Sequence, residues 1–151
     1  MTLKKAAVAT GGALVVGVVG LKVLSMALSK TDVEIVLQQQ AGVCQPSNPE
    51  TIKAGFHSKV KWTIRNVDCS QQYISLRNFK HPLGGGQYDP PENVVEPQPV
   101  DGGPIGTGQS ILIEAKVIKF RLLPKTFKYE IWLGETSANR LGLDPDIDVW
   151  P

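Results

Sequence analysis

The sequence predicts an all-β protein: an antiparallel two-sheet sandwich of six to seven strands, preceded by one N-terminal transmembrane helix. Three observations predict it. One apolar run, Ala6 to Leu28, separates a basic start from a polar remainder. The remainder alternates apolar and polar residues in short runs, the period of half-buried strands. Gly and Pro punctuate the junctions, and no soluble helical period emerges.

The apolar run comes first. Its 23 residues would make a helix of roughly 34 Å, enough to cross a bilayer. Lys4 and Lys5 precede it and are expected to stay in the cytoplasm, which puts residues 31–151 outside. Lys22 lies about two turns from the outer end, where its long stem can carry the ammonium to the interface. Ala9, Ala13 and Gly17 recur every four residues and form a small-residue face that another helix can approach closely. The alternative is a cleaved signal peptide: a basic start, an apolar stretch to Leu21 and the small-x-small site Ser25-Met26-Ala27.

The strands follow in order. Val33, Ile35 and Leu37 alternate with Asp32, Glu34 and Gln38 in a first strand. Residues 39–55 read as a connection containing Pro46, Pro49 and Gly55. Val60, Trp62 and Ile64 against Lys59, Lys61, Thr63 and Arg65 give the clearest period of two. Ile74 and Leu76 mark the next strand, which ends near Phe79. Then come one face of Ile111, Ile113, Ala115 and Val117, and another of Phe127, Tyr129, Ile131 and Leu133. Ile147 and Val149 close the series, and Val94-Val95 supplies an optional seventh strand.

One stretch departs from the pattern. His81 to Gly108 is 28 residues with six Pro and seven Gly, including Gly84-Gly85-Gly86 and Pro90-Pro91. Connections of this length without structure are uncommon in compact domains. The prolines restrict the unfolded chain, so less entropy is lost when the segment is fixed. We read it as an arm ordered by contact with a partner, not by its own core. Tyr88, Pro90, Pro91, Val94 and Val95 are its expected contact residues.

Composition bounds the rest. About 120 residues after the tether make one domain. From Lys30 onward there are 13 Lys+Arg against 14 Asp+Glu, so no basic surface points to nucleic acid. The two cysteines, Cys44 and Cys69, are expected to form a disulfide outside the cytoplasm; two free thiols are the alternative.

Catalytic chemistry is poorly represented. His57 and His81 are the two histidines, and no nucleophile-base spacing accompanies them. Gly-x-Ser-x-Gly and a phosphate-cradling Gly-Lys-Ser/Thr loop are absent. Leu123-Pro124-Lys125-Thr126 lacks the Gly of a sortase signal and is internal. Asp144, Asp146 and Asp148 sit at strand spacing without a calcium loop's Gly turn or closing Glu, and read as a solvated strand face. Cys44, His57, Cys69 and His81 lack the short chelating pairs of a zinc site. The expectation is no catalytic residue, no metal site and no cofactor.

Val60-Lys61-Trp62-Thr63-Ile64, Thr126-Phe127-Lys128-Tyr129-Glu130-Ile131 and Asp144-Pro145-Asp146-Ile147-Asp148-Val149, in that order, resemble the cupredoxin-like and immunoglobulin-like sandwich ectodomains of bacterial membrane-anchored envelope proteins. The likeness covers roughly the last 90 residues and implies their sandwich fold. It does not extend to copper. Where the copper-binding members place their thiolate, this chain has Ile131, and no His, Met or Cys lies between Gly134 and Pro151.

The expected function is therefore a non-catalytic accessory subunit. It would be anchored in the bacterial inner membrane, N-terminus cytoplasmic and domain periplasmic. Through the helix and the 81–108 arm it would dock on an integral membrane complex, for which photosynthetic and respiratory assemblies are suitable classes. The alternatives are a cupredoxin-type metal-binding or electron-transfer protein and a secreted binding module.

Overall fold

The computed structural model describes residues 29–135, 139–140 and 145–151. The expected transmembrane segment, with Ala9, Ala13 and Gly17, lies outside the described residues, as does Asp144. Among the described residues no helix is long and apolar enough to cross a membrane.

The described chain is all-β. In chain order the strands are β1 (Asp32–Gln40), β2 (Val43–Pro46), β3 (Ile52–Gly55), β4 (Lys59–Asn66), β5 (Gln72–Lys80), β6 (Pro82–Gly84) and β7 (Gln87–Tyr88). They continue with β8 (Val95–Glu96), β9 (Val100–Ile105), β10 (Ser110–Val117), β11 (Lys125–Gly134), β12 (Asn139–Arg140) and β13 (Asp146–Trp150). One sheet has the order β2-β1-β4-β10-β8, the other β3-β13-β11-β5-β9 with β12 beside β11, and β6 and β7 pair as a separate hairpin.

The alternation read in the sequence sets the two inner faces. Val60, Trp62 and Ile64 of β4 and Phe127, Tyr129 and Ile131 of β11 are fully buried. The intervening Lys59, Thr63 and Arg65 are exposed. The sheets meet at the Trp62 Nε1–H, which donates to the Tyr129 hydroxyl at 3.1 Å, with the rings edge to face. Burial of that phenol pushes its pKa up.

Two expectations are corrected. The sheets are mixed, not purely antiparallel: β1 runs parallel to β4, and β13 parallel to β3. The reason lies in the connection between β1 and β4, which is no tight hairpin. β2 folds back on β1 through Ala41-Gly42, both at positive φ as a two-residue hairpin turn requires, and β3 then crosses to the other sheet. Residues 39–55, read as a connection, thus supply two short strands.

The pairings define two ends. Gly55 beside Trp150, Lys59 beside Lys116, and Lys125 beside Val149 share one end. Lys30 pairs there through an antiparallel bridge to Lys53, so the step from Lys30 back to Ser29 runs the same way as Lys53 to Phe56. We call this the entry end. The turn after β1, the loop after β4 and residues 106–109 lie at the opposite end, with the disulfide.

Candidate functional site

At the disulfide end, Cys44 and Cys69 are bonded across a sequence separation of 25. Cys69 is fully buried, and its backbone N–H donates to Asn66 Oδ1 at 2.9 Å. Asn66 Nδ2 reaches the carbonyls of Cys69 and Ile105 at 3.1 Å. This end is a structural staple.

The imidazoles do not join it. His57 sits in the turn after β3 at the entry end, and His81 Nδ1 is 2.8 Å from the Thr126 carbonyl beside the ring of Phe127. Cys44, His57, Cys69 and His81 are therefore split between the two ends. Among the described residues no group of three or more His, Cys, Asp or Glu side chains is placed to hold a metal ion. Ile131 is fully buried in the core. Asp146 and Asp148 face β11, where they accept hydrogen bonds from Lys128 Nζ at 2.8 Å and Thr126 Oγ1 at 2.5 Å.

The outer face of β5 and β11 carries a buried carboxylate. Glu130 accepts from Asn78 Nδ2 at 2.7 Å, Trp132 Nε1 at 2.9 Å and Lys80 Nζ at 3.1 Å. Burial alone would push its pKa up. The hydrogen bonds from Asn78, Trp132 and Lys80 outweigh that and hold it below the ordinary carboxylate range. Asn78 adopts φ 54° where β5 and β11 slip register, which brings its amide over Glu130. A carboxylate engaged by three donors anchors β11 to β5. The adjoining concavity, lined by Arg77, Asn78, Asn93, Gln98 and Pro99, has a volume of about 230 Å³, below the usual range of small-ligand sites.

The arm divides into two halves, and the expectation for it is corrected in part. Val94, Val95, Val100 and Ile105 are buried in the protein's own core, so Val94 and Val95 are not contact residues. The sequence hid this because β9 carries Gly102, Gly103 and Pro104, poor strand formers that suit an edge strand. Gly102 is there because a Cβ would come within 2.6 Å of Ile74 Cγ2 and 3.1 Å of Ile111 Cδ1. The glycine marks close packing against β5 and β10.

The other half, residues 82–93, projects at the entry end. The β6–β7 hairpin turns at Gly84-Gly85-Gly86, all at positive φ, and exposes Leu83. Tyr88 is half-buried with its ring 4.3 Å from Lys80 Nζ, while Pro90 and Pro91 are exposed. Asp89 faces Lys125 Nζ at 4.0 Å. Glu92 receives Lys119 Nζ at 2.8 Å and Arg121 at 2.9 Å. The hydrogen bond from Lys119 is the main reason that the Glu92 carboxyl stays below its ordinary pKa.

Those ion pairs tie the arm to a second loop, residues 118–124, which sequence reasoning did not single out. Phe120, Leu122 and Leu123 stand exposed there, Leu122 at 82% and Leu123 at 77%. Phe120 packs edge to face on Phe56 at 5.5 Å. The signal was present: Ile118, Phe120, Leu122 and Leu123 interleave with Lys119, Arg121 and Lys125 after the period of β10 has ended. Together the hairpin and this loop form the candidate interaction surface.

The chain matches no protein-family model and no curated protein sequence. Among solved structures it is similar to the CsuC–CsuE chaperone–tip adhesion subunit complex of Acinetobacter baumannii pili. The TM-score is 0.51 at 10% identity, over 67% of this chain and 48% of that one. Reduced auracyanin from Roseiflexus castenholzii aligns with a TM-score of 0.45 at 14% identity, over 82% of this chain and 99% of that one. A variant of the McoA multicopper oxidase from Aquifex aeolicus aligns with a TM-score of 0.44 at 11% identity, over 80% of this chain and 29% of that one. The first likeness is one of fold, and the chain spans about half the length of that relative.

Proposed function

We propose that this protein is a non-catalytic accessory subunit, tethered to a membrane by residues 6–28. Its β-sandwich would dock on a larger membrane protein complex through the entry-end hairpin. One observation carries the reading: the hairpin is tied to the sheet at its base yet faces outward. Lys80 of β5 and Lys125 of β11 meet Tyr88 and Asp89, and the backbone N–H of Glu92 donates to the Phe79 carbonyl, while Leu83 at the tip is 57% exposed. A projection fixed before binding loses little entropy when a partner covers it. The helix face of Ala9, Ala13 and Gly17 is the second contact that we propose.

The test is a photo-crosslinking residue placed at Leu83 of the full chain in native membranes, with a control at exposed Val43 on the disulfide end. The expected result is one discrete heavier adduct from position 83 and none from 43. Equal crosslinking at both positions, or none at 83, would overturn the docking reading.

A further inference from the structure

We infer that the loop at residues 118–124 is a lipid-contacting element, which lays Leu122 and Leu123 into the surface of the bilayer that holds the N-terminal segment. The inference rests on the tethered reading proposed above. Three independent features carry it.

The first is exposure without a structural reason. Ten large apolar side chains are exposed among the described residues, and Phe56, Ile118, Phe120, Leu122 and Leu123 are clustered at this one loop and the turn beside it. A contiguous apolar patch on a soluble surface marks an interaction site.

The second is where the chain enters. The antiparallel bridge of Lys30 to Lys53 sets Ser29 in register with Ala54, and Gly55 and Phe56 follow. Lys53 and Phe56 are about 10 Å apart along an extended strand. The ring of Phe56 touches Phe120 in the loop. Ser29 thus stands at the end that carries the exposed leucines, and in the sequence it directly follows the last residue of the apolar run, Leu28. With the tether in a bilayer, this end of the sandwich is held at the bilayer surface.

The third is the chemistry of the loop. Residues 118–125 contain Lys119, Arg121 and Lys125 and no acidic residue. Each of these cations is turned back onto Glu92 or Asp89 of the arm, so the side chains that the loop presents outward are those of Leu122 and Leu123. Glu92 and Asp89, which pair with these cations, lie behind the loop on the arm and hold it by its charged side chains while the leucines point away. A protein partner would meet the same leucines, and the comparison of pure lipid with native membranes below separates the two.

The experiment uses the full chain, labelled with an environment-sensitive fluorophore through Leu122→Cys and, separately, Val43→Cys. Each is reconstituted into phosphatidylcholine vesicles containing phosphatidylglycerol, with or without brominated acyl chains. Flotation first establishes that the chain is in the membrane. The expected result is a blue-shifted Leu122→Cys probe that loses most of its emission to brominated lipid, beside a Val43→Cys probe that loses none. If the chain floats and both probes behave alike, the lipid inference fails and the tether reading stands. A probe that shifts in native membranes but not in pure lipid assigns the loop to a protein partner and overturns the inference. If the chain does not float, both readings fail together.

Discussion

The two ends of the sandwich are built on opposite principles. At the disulfide end, loops are closed inward. Cys44 is bonded to Cys69, Thr107 Oγ1 donates to the Cys69 carbonyl at 2.5 Å, and the backbone of Asn66 exchanges hydrogen bonds with Gly108 and Gln109 at 2.8 and 2.9 Å. At the entry end, loops are held by surface ion pairs to Glu92 and Asp89 and turn apolar side chains outward. Folding alone accounts for the first end. It does not account for the second, because exposed leucines add nothing to a core and raise the risk of aggregation. On the function proposed above, the difference separates where this molecule secures its stability from where it would meet other molecules.

The strongest way to break that contrast is to cut the staple. Replacing both cysteines, Cys44→Ala with Cys69→Ala, should lower stability by about 3 kcal/mol, the value expected for a crosslink closing a loop of this size. Denaturant midpoints of the full chain in detergent measure it. A loss below about 1 kcal/mol would show that Asn66 and its neighbours hold the end without the bond.

A smaller effect is expected at the entry end from Glu92→Gln. The carboxyl of Glu92 is depressed in the folded state, first by its hydrogen bond with Lys119. Its contribution is therefore complete above the ordinary carboxylate pKa, about 4.3, and fades as pH falls through the lower folded value. At neutral pH the variant should be less stable by about 1 kcal/mol, the upper end for a partly exposed pair. Below about pH 4 the two proteins should converge. A gap that persists undiminished at pH 3 would show that packing around residue 92, not its charge, secures the loop.

Much of this contrast was legible in the sequence, and the part that was not has physical causes. The alternations around Trp62 and Tyr129 name the core strands because one face of each is wholly buried. The pairing of Cys44 with Cys69 follows from composition. The parallel partners of β1 and β13 were not legible, since side-chain alternation is blind to strand direction. β9 was not legible because its glycines and proline satisfy packing against Ile74 and Ile111 instead of strand propensity. The arm was misjudged for the same reason, its valines being too few to signal a core that the other strands mostly supply. The loop at 118–124 carried a visible signal, apolar and basic residues interleaved, but only the topology puts it beside the point of entry.

The smallest expected effect on stability is the most telling of the three. Leu122 and Leu123 are 82% and 77% exposed, so replacing both by serine removes almost no burial. Substitutions at such positions change stability by no more than about 0.5 kcal/mol. The double variant Leu122→Ser with Leu123→Ser should therefore melt within that margin of the parent chain in detergent. In bilayers it should leave the neighbouring loop backbone exchanging amide hydrogen faster, since the lipid contact that shields it is gone. The staple variant should show the converse: a large loss of stability with unchanged protection of the loop. If the leucine pair instead destabilises the chain by 2 kcal/mol or more, values typical of core truncations, then those side chains are packed inside the fold. The two ends would then be alike, and the division between a stabilising end and an offering end would fall.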